Sequence, residues 1–276
     1  MKKIRNLIYF FSFLTLMTPS FSMAQTDAKP ERLIKIGTEG TYRPWTMADA
    51  DGKVTGFDAD LAAALCSKLH AKCQFVVQNF DSLIPSLITG RFQLIMTSIS
   101  ATQEREKQIA FSHAYAAIPN VFATRKGSSL TQFKTLDALK KGLVGKRVGV
   151  LSGATQAQYL IAEIPETKIM PYDTMDQMLL DLSARRLDVG FADETVWDEF
   201  FSKPQGRNLV TLEPRVNPED APTILGYGIA IGIAKENIAL KDEVNQALCD
   251  LLDNGAVKKI SEKWLHKDIS VSCIRK

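Results

Sequence analysis

The sequence predicts an α/β protein with two related lobes, each organised around a β-sheet whose strands are largely parallel. Apolar segments of strand length alternate with amphipathic segments of helical period along the chain, and this order is typical of parallel sheets. A weak internal echo supports the second lobe: Phe80-Asp81 and Tyr172-Asp173 are each followed by a helical segment, an arginine-containing turn and a buried strand. We therefore expect both lobes to share one architecture.

The first lobe is predicted to be discontinuous. Late in the chain, the apolar stretch from Leu225 to Ala234 contains three glycines and suits a strand that returns to the first lobe. We therefore expect one lobe made of residues 25–119 plus 224–276, and a second lobe made of residues 120–223.

Each element of the first lobe has its own signal. Leu33 to Gly37 alternates as a strand and runs into a loop marked by Gly40 and Pro44. A helix follows, with acids near its start, where the helix dipole favours negative charge. Its apolar face consists of Phe57, Leu61, Leu65 and Leu69, and its early acids are Asp58 and Asp60. The next predicted elements are a strand at Cys73–Val77, a helix opening at Phe80–Leu87 and a buried strand at Phe92–Met96.

The same alternation recurs in the second lobe and then gives way to helices. The predicted strands are Val121–Ala123, Arg147–Leu151, Lys168–Met170 and Leu187–Ala192. One helix is predicted to open at Ser152–Gln156 and another to run from Thr174 to Ala184. Two final helices, Leu240–Leu252 and Gly255–Trp264, follow the returning strand.

The first 24 residues have the layout of a secretory signal peptide. Three positive charges precede an apolar run from Leu7 to Met17, and a small-residue end follows at Ala24. The apolar run is too short to span a bilayer, and no later stretch approaches the required length. We therefore expect a soluble protein exported to the periplasm.

Charge and motif content narrow the possible functions. Removing the leader removes three positive charges and no acid, so the formal net charge of +3 becomes zero. A neutral chain without a basic block gives no electrostatic basis for binding nucleic acid or an anionic membrane. The spacings of phosphate loops, dinucleotide folds and nucleophile elbows are absent, and the histidines His70, His113 and His266 are scattered. The sequence therefore predicts a protein that is not an enzyme and needs no cofactor or metal.

Four cysteines, Cys66, Cys73, Cys249 and Cys273, allow three complete pairings. An oxidising compartment favours disulfides over metal ligands, and no histidine lies at a zinc-like spacing from any of the four. The favoured arrangement joins Cys66 to Cys73, between a helix and the next strand, and Cys249 to Cys273 in the tail. We expect both bonds to be structural.

The segment from Thr97 to Arg105 combines several groups that attract anions. It follows a buried strand, carries the hydroxyls of Ser98 and Ser100, and can open a helix capped by Thr102. A helix N-terminus attracts negative charge, and the Arg105 guanidinium can bind a carboxylate or a phosphate with two hydrogen bonds. The alternative is an ordinary loop followed by an exposed charged helix.

Other recognition groups accompany this segment. Asp193 ends the corresponding strand of the second lobe and suits an ammonium group, and ligands of open α/β sheets bind beyond such strand ends. Tyr42 and Phe80 offer flat faces for a cationic or aliphatic chain, and Glu39 could neutralise a distal positive charge. Each has an ordinary alternative: the aromatics as core residues, Asp193 as a helix cap and Glu39 as a solvated loop acid.

Six motifs occur in a fixed order between Leu33 and Trp264. They are Ile36-Gly37-Thr38-Glu39-x-x-Tyr42-x-Pro44, Gly56-Phe57-Asp58-x-Asp60-Leu61, Phe80-Asp81-x-Leu83-Ile84-Pro85-x-Leu87, Ser98-x-Ser100-x-Thr102-x-x-Arg105, Val148-Gly149-Val150-x-x-Gly153-x-Thr155-Gln156 and Asp193-Glu194. Together they resemble the periplasmic amino-acid-binding proteins of ABC importers, in particular the lysine/arginine/ornithine-, histidine- and arginine-binding branch. The resemblance covers nearly the whole mature chain.

This resemblance implies a fold and a set of residue roles. The implied fold is the two-lobed, type II periplasmic-binding-protein-like fold, in which lobes joined by two hinge strands close over one amino acid. The implied contacts are Arg105, Ser100 and the Thr155 region, with Gln156 beside it, for the α-carboxylate; Ser98 and Asp193 for the α-ammonium; and Tyr42, Phe80 and Leu151 for the side chain. Cys66 and Cys73 match the small disulfide of this branch.

One position departs from the family pattern. Cationic amino-acid binders of this branch place aspartate where this chain has Glu39, which keeps the negative charge and extends its reach by one methylene. Arg105, Asp193 and Glu39 sum to a charge of −1, so a ligand of net charge +1 would balance a closed, dry site. We therefore expect a cationic L-amino acid, arginine first, then lysine, ornithine or histidine.

The expected partners are this amino acid and the membrane permease of an ABC importer, and we expect a monomer that binds no nucleic acid. The alternative is an exported enzyme on the same fold, such as a cyclohexadienyl dehydratase, in which Glu194 or Glu39 would have to protonate a leaving hydroxyl. A doubly anionic substrate fits a site of this charge poorly. The sensing module of a receptor is disfavoured because no membrane span or effector domain follows Lys276.

Overall fold

The computed structural model describes residues 32–274, so the predicted signal peptide lies outside the described residues. The first elements are β1 (Arg32–Thr38), β2 (Met47–Ala48), β3 (Val54–Thr55), α1 (Phe57–Lys68), β4 (Ala71–Val77), α2 (Leu83–Ile88), β5 (Leu94–Ile95), α3 (Gln103–Glu106) and β6 (Ala110–Ala116). Next come β7 (Asn120–Arg125), α4 (Leu136–Leu143), β8 (Arg147–Leu151), α5 (Thr155–Glu163), β9 (Lys168–Tyr172), α6 (Met175–Ser183), β10 (Val189–Asp193), α7 (Glu194–Phe201) and β11 (Leu209–Val216). The last are α8 (Pro222–Leu225), β12 (Ile229–Ile233), α9 (Ile238–Asp253) and α10 (Ala256–Leu265). None of the helices between residues 32 and 274 has the length and apolarity that crossing a bilayer requires.

Within this range the strands form two five-stranded sheets, and β2 pairs with β3 in a small ribbon. Sheet 1 has the strand order β4-β1-β5-β12-β6, and sheet 2 has the order β11-β7-β10-β8-β9. In sheet 1, β1 is parallel to both β4 and β5. In sheet 2, β8 is parallel to both β9 and β10. Each sheet therefore has a parallel core of three strands flanked by helices.

The other pairings are antiparallel, which the alternating pattern of strands and helices did not predict. β12 runs antiparallel to β5 and β6, and β7 runs antiparallel to β10 and β11. Both β7 and β12 enter their sheet directly from the other sheet. Successive strands become parallel when a helical crossover returns the chain to the same sheet. No such crossover precedes β7 or β12.

The chain crosses between the sheets twice. Residues 117–119 link β6 to β7, and residues 217–228 link β11 to β12. Sheet 1 therefore takes its strands from residues 32–116 and 229–233, whereas sheet 2 takes all of its strands from residues 120–216. We propose that these two sheets mark the two lobes, and the lobe boundaries of 25–119 plus 224–276 and 120–223 remain a prediction.

The core of sheet 1 includes the helical face predicted from the sequence. In α1, Phe57, Leu61 and Leu65 are fully buried. The Phe57 ring packs against Trp45, with ring centroids 4.8 Å apart, and stacks on Tyr115 at 5.9 Å. These contacts fix the loop after β1 and the start of α1 against β6. They thereby position the segments that approach the site.

Two disulfides connect helices to neighbouring segments. Cys66, near the end of α1, is bonded to Cys73 in β4, and their Cα atoms are 6.1 Å apart. Cys249 in α9 is bonded to Cys273, with Cα atoms 5.3 Å apart. The sequence separations are 7 and 24 residues, so the second bond closes the longer loop and holds the C-terminal segment on α9.

Removing the Cys249–Cys273 bond should cost more stability than removing the Cys66–Cys73 bond. In the chain-entropy model, loops of these lengths correspond to about 3.5 and about 2.5 kcal/mol of unfolding free energy. Urea unfolding of the two paired variants, Cys249→Ala with Cys273→Ala and Cys66→Ala with Cys73→Ala, tests this order. A larger loss of stability from the shorter loop would contradict it.

Candidate functional site

Nine of the predicted site residues line one small cavity at the carboxyl ends of strands from both sheets. Its volume is about 20 Å³, which is room for about one water molecule, so the polar groups around it lie close to one another. The nine are Tyr42, Phe80, Ser98, Ser100, Arg105, Leu151, Thr155, Gln156 and Asp193. Thr97 and Ala154 complete the lining.

Arg105 connects the two sides of the cavity. It lies in α3, whose first turn is capped by the Thr102 hydroxyl, which accepts a hydrogen bond from the Arg105 N–H at 3.2 Å. The guanidinium donates to the Ser100 carbonyl at 2.8 Å and to the Gly153 carbonyl at 3.0 Å. It also lies 5.3 Å from the centre of the Phe80 ring. Burial lowers the pKa of Arg105 to about 10, which leaves the group charged at neutral pH.

Asp193 is the acidic counterpart on the sheet 2 side. It ends β10 and occupies the N-cap position of α7, but its side chain makes no capping hydrogen bond. Instead, the carboxylate accepts hydrogen bonds from the Ser98 hydroxyl at 3.1 Å and from the Gln156 amide at 3.0 Å. Its backbone N–H donates to the Tyr42 hydroxyl oxygen at 3.4 Å. Burial raises the pKa of Asp193 to about 6, although these hydrogen bonds and the Arg105 charge oppose the shift.

The buried charges of Arg105 and Asp193 share the cavity without forming an ion pair. Arg105 donates to two main-chain carbonyls, and Asp193 accepts from neutral side chains. No ion pair to either residue occurs within residues 32–274. A guanidinium suits a carboxylate and a carboxylate suits an ammonium group, so the two side chains offer groups that match the two ends of a zwitterion.

Aromatic side chains form two walls of the same cavity. Tyr42 is 7% exposed, and burial raises the pKa of its hydroxyl well above the ordinary value, with the Asp193 charge adding to the shift. Phe80 is half-buried beneath the Arg105 guanidinium. Tyr42 therefore stays neutral at physiological pH and can both donate and accept a hydrogen bond.

Glu39 is buried beside the cavity but does not line it. It is 4% exposed, so its interpretation as a solvated loop acid is wrong. Its carboxylate accepts hydrogen bonds from the Thr41 N–H at 2.7 Å and from the Thr41 hydroxyl, and its own N–H donates to the Thr97 hydroxyl at 3.1 Å. Burial raises the pKa of Glu39, and the charge of Asp176 on α6 adds to the shift. Glu39 and Asp176 thus place two acidic side chains on the same side of the cavity.

Sequence reasoning missed three buried groups that support the cavity. The Trp45 indole donates to the Thr195 hydroxyl at 2.9 Å and joins the two sides outside the cavity lining. The Gln156 amide also donates to Asn120, at 2.5 Å. The Asp58 carboxylate accepts a hydrogen bond from the Ser98 N–H, in the segment after β5. The available signals were weak: Asp58 stands in one of the six motifs, and Thr195 lies two residues after a predicted site residue.

Both candidates for the acid that an enzyme on this fold would need are held by other groups. Glu194 forms ion pairs with Arg215 at 2.7 Å and with Lys267 at 2.8 Å, and Glu39 is bonded to Thr41. In the part of the chain that the structure describes, no group of three or more histidine, cysteine or acidic residues is arranged to hold a metal ion.

Comparison with known proteins finds a family model and several relatives that match most of the chain. The model of the bacterial extracellular solute-binding proteins, family 3, matches residues 34–267. The chain is 34% identical over 247 residues to a putative ABC transporter arginine-binding protein 2 of Escherichia coli, covering 90% of this chain and 95% of that protein. It is also 34% identical over 253 residues to the histidine-binding periplasmic protein of Salmonella typhimurium, covering 91% and 94%.

A solved structure extends the likeness to the fold. It is a periplasmic binding protein of Salmonella typhimurium described as having high arginine specificity, and it matches with a TM-score of 0.76 at 32% identity. The match covers 85% of this chain and 99% of that one, and it confirms the predicted α/β fold. These relatives are binding proteins rather than enzymes. The chain belongs to family 3 of the bacterial extracellular solute-binding proteins.

Proposed function

We propose that this protein captures a cationic L-amino acid in the periplasm, arginine first, and delivers it to the membrane permease of an ABC importer. The observation that carries the proposal is the pair of buried charges, Arg105 and Asp193, which line one cavity and form no ion pair among the described residues. An α-amino acid supplies a carboxylate for the first and an ammonium group for the second. The arginine- and histidine-binding relatives support this ligand class.

In this proposal the α-carboxylate binds Arg105, Ser100 and the start of α5 at Thr155, with Gln156 beside it. The N-terminus of α5 favours negative charge because its first N–H groups have no partners within the helix. The α-ammonium binds Asp193 and the Ser98 hydroxyl, which already meet at 3.1 Å. Tyr42 and Phe80 enclose the side chain, and Leu151 lines the pocket.

In this proposal the preference for a cation follows from Glu39, a further buried acid beside the cavity. Arg105, Asp193 and Glu39 carry a net charge of −1, and a zwitterion with a neutral side chain would leave that charge unbalanced in a closed site. A ligand of net charge +1 balances it. The raised pKa of Glu39 supports this argument, because burial makes its ionised form costly until a cation is near. The guanidinium of arginine is planar and weakly hydrated, which suits stacking on Tyr42 and Phe80.

Ligand entry requires the two sides of the site to separate. A cavity of about 20 Å³ cannot hold an amino acid. The hydrogen bonds that join the sides at the cavity include Ser98 to Asp193, Asp193 to Tyr42, and Arg105 to Gly153, and Trp45 to Thr195 joins them beside it. We propose that the lobes move about the two crossing segments, residues 117–119 and 217–228, and that the closed, ligand-bound monomer docks on the permease. We expect no binding of nucleic acid.

Isothermal titration calorimetry with arginine and its neutral isostere citrulline tests the role of Glu39. We expect arginine to bind at least about 30-fold more tightly, because truncating one partner of a buried charge pair costs about 2 kcal/mol or more. In Glu39→Gln, the preference for arginine over citrulline should fall to a few-fold. Equal affinities for the two ligands in the wild-type protein would contradict the cationic ligand class.

Lysine, ornithine and histidine belong in the same titration series, with leucine as the neutral control. The exposed residue Glu236 supplies a matched variant, since Glu236→Gln removes one acid away from the cavity and outside the crossing segments. That variant should retain the wild-type preference for arginine over citrulline.

A further inference from the structure

Asp58 supports the cavity without lining it. We propose that Asp58 is a positioning residue for the binding site: its buried carboxylate holds the main chain of Ser98 in the conformation that directs the Ser98 hydroxyl to Asp193. The proposal rests on the proposed function, because Ser98 and Asp193 are the groups assigned to the ligand ammonium. It adds a residue whose contribution to affinity is indirect.

The conformation of Ser98 needs outside support. Its φ is 52°, in the left-handed region that non-glycine residues seldom occupy. This conformation turns the chain at the end of β5, so that the Ser98 hydroxyl lies 3.1 Å from the Asp193 carboxylate. A strained residue persists only where its surroundings hold it in place. For Ser98, the group that matters is the acceptor of its backbone N–H.

Asp58 supplies that support from α1. Its Oδ2 accepts the Ser98 N–H at 2.8 Å, while its Oδ1 accepts the Tyr115 hydroxyl at 2.6 Å. The Asp58 N–H in turn donates to the Trp45 carbonyl at 3.0 Å. Asp58 and Tyr115 are both fully buried. The carboxylate is thus held between Tyr115 of β6 and the strained Ser98 after β5, while the Asp58 main chain is anchored to the loop after β1.

The chemistry of this arrangement requires hydrogen bonds rather than charge. Asp58 forms no ion pair within the described residues, and burial raises its pKa to about 7, so its negative charge is poorly stabilised. An asparagine could reproduce both contacts, since its oxygen can accept the Ser98 N–H and its amide can donate to the Tyr115 oxygen. A leucine of similar size could reproduce neither.

Three variants separate positioning from general stabilisation, with arginine affinity measured by calorimetry at pH 7.5. Asp58→Asn should bind within about threefold of wild type, whereas Asp58→Leu should bind at least about 30-fold more weakly. Tyr115→Phe is the matched control, because it removes the other hydrogen bond to the same carboxylate and leaves the Ser98 contact in place. It should lower the unfolding free energy and change the affinity less than threefold.

The outcomes that overturn the proposal are specific. Unchanged affinity in a folded Asp58→Leu variant would show that Ser98 needs no support from Asp58. A loss of affinity in Tyr115→Phe as large as that in Asp58→Leu would assign both residues to general stability. A large loss in Asp58→Asn would show that the negative charge of Asp58, rather than its hydrogen bonds, acts on the ligand.

A ligand-free measurement keeps the proposal testable if Asp58→Leu does not fold or if the wild-type protein binds no cationic amino acid. Amide hydrogen exchange of the free protein should show a protected Ser98 N–H in the wild type and in Asp58→Asn. Rapid exchange at Ser98 in the wild type would overturn the positioning role. Protection without amino-acid binding would leave that role standing while the proposed function fails.

Discussion

Replacing Arg105 with alanine is expected to reduce amino-acid binding by about 30-fold to several thousandfold while leaving the fold intact. Truncating a buried, hydrogen-bonded charge that meets an opposite charge costs about 2 to 5 kcal/mol. Arg105 is 8% exposed and reaches both sides of the cavity through the Ser100 and Gly153 carbonyls. Calorimetric titration with arginine measures the loss, and circular dichroism checks the fold.

Two further variants sharpen this test. Arg105→Lys keeps the charge but loses the planar fork that binds a carboxylate with two hydrogen bonds, so its affinity should lie between those of wild type and Arg105→Ala. Arg186→Ala is the matched control, because Arg186 is an exposed arginine paired with Asp181, and it should bind arginine normally. Wild-type affinity in a folded Arg105→Ala protein would refute the assignment of the carboxylate site.

Arginine affinity is also expected to fall as the pH drops below about 6. The ligand ammonium needs an ionised Asp193, and burial raises the pKa of this carboxyl to about 6 in the free protein. The ammonium stabilises the ionised form, so the pKa is lower in the complex than in the free protein. Affinity is therefore highest when the pH is well above 6. At pH 5, one unit below the pKa of Asp193 in the free protein, the affinity should be about tenfold weaker, because linkage changes it about tenfold per pH unit below that pKa.

Calorimetry with arginine between pH 5 and pH 8 measures this dependence, because the ligand keeps its own charge across this range. Asp193→Asn removes the titrating group and serves as the test of assignment. Its affinity should be lower than that of wild type at pH 7 and should fall less than the wild-type affinity down to pH 5, because Glu39 remains as a buried acid with a raised pKa. A wild-type profile that is flat, or an Asp193→Asn profile that retains the tenfold change, would contradict the role of Asp193.

The site residues at the strand ends could be predicted because each lies in a short stretch of sequence that indicates its chemistry without reference to the rest of the chain. A buried strand followed by hydroxyls and an arginine, as at Ser98 to Arg105, indicates an anion site at a sheet edge, and Asp193 ends a strand in the same way. The structure places these groups around one cavity. The parallel core of each sheet was equally visible, because a helix separates its strands in the sequence.

The supporting contacts could not be predicted because they join distant segments. Trp45 and Thr195 are 150 residues apart, and Asp58 and Tyr115 are 57 residues apart. An acid in the first turn of a helix is ordinarily explained by the helix dipole. There was therefore no reason in the sequence to expect that Asp58 is buried. Glu39 was expected to face a ligand directly, and its bond to Thr41 depends on the local loop conformation.

The place of β12 in sheet 1 makes the completion of that sheet depend on a late segment of the chain. β12 lies between β5 and β6, so sheet 1 stays divided until residues 229–233 have joined it, whereas sheet 2 takes every strand from residues 120–216. Exposed strand edges are prone to mispairing during such a delay. Although most strands of sheet 1 come first in the chain, sheet 1 therefore cannot be completed without residues 229–233. A chain that ended before them would leave Ser98 and Arg105 on an incomplete sheet.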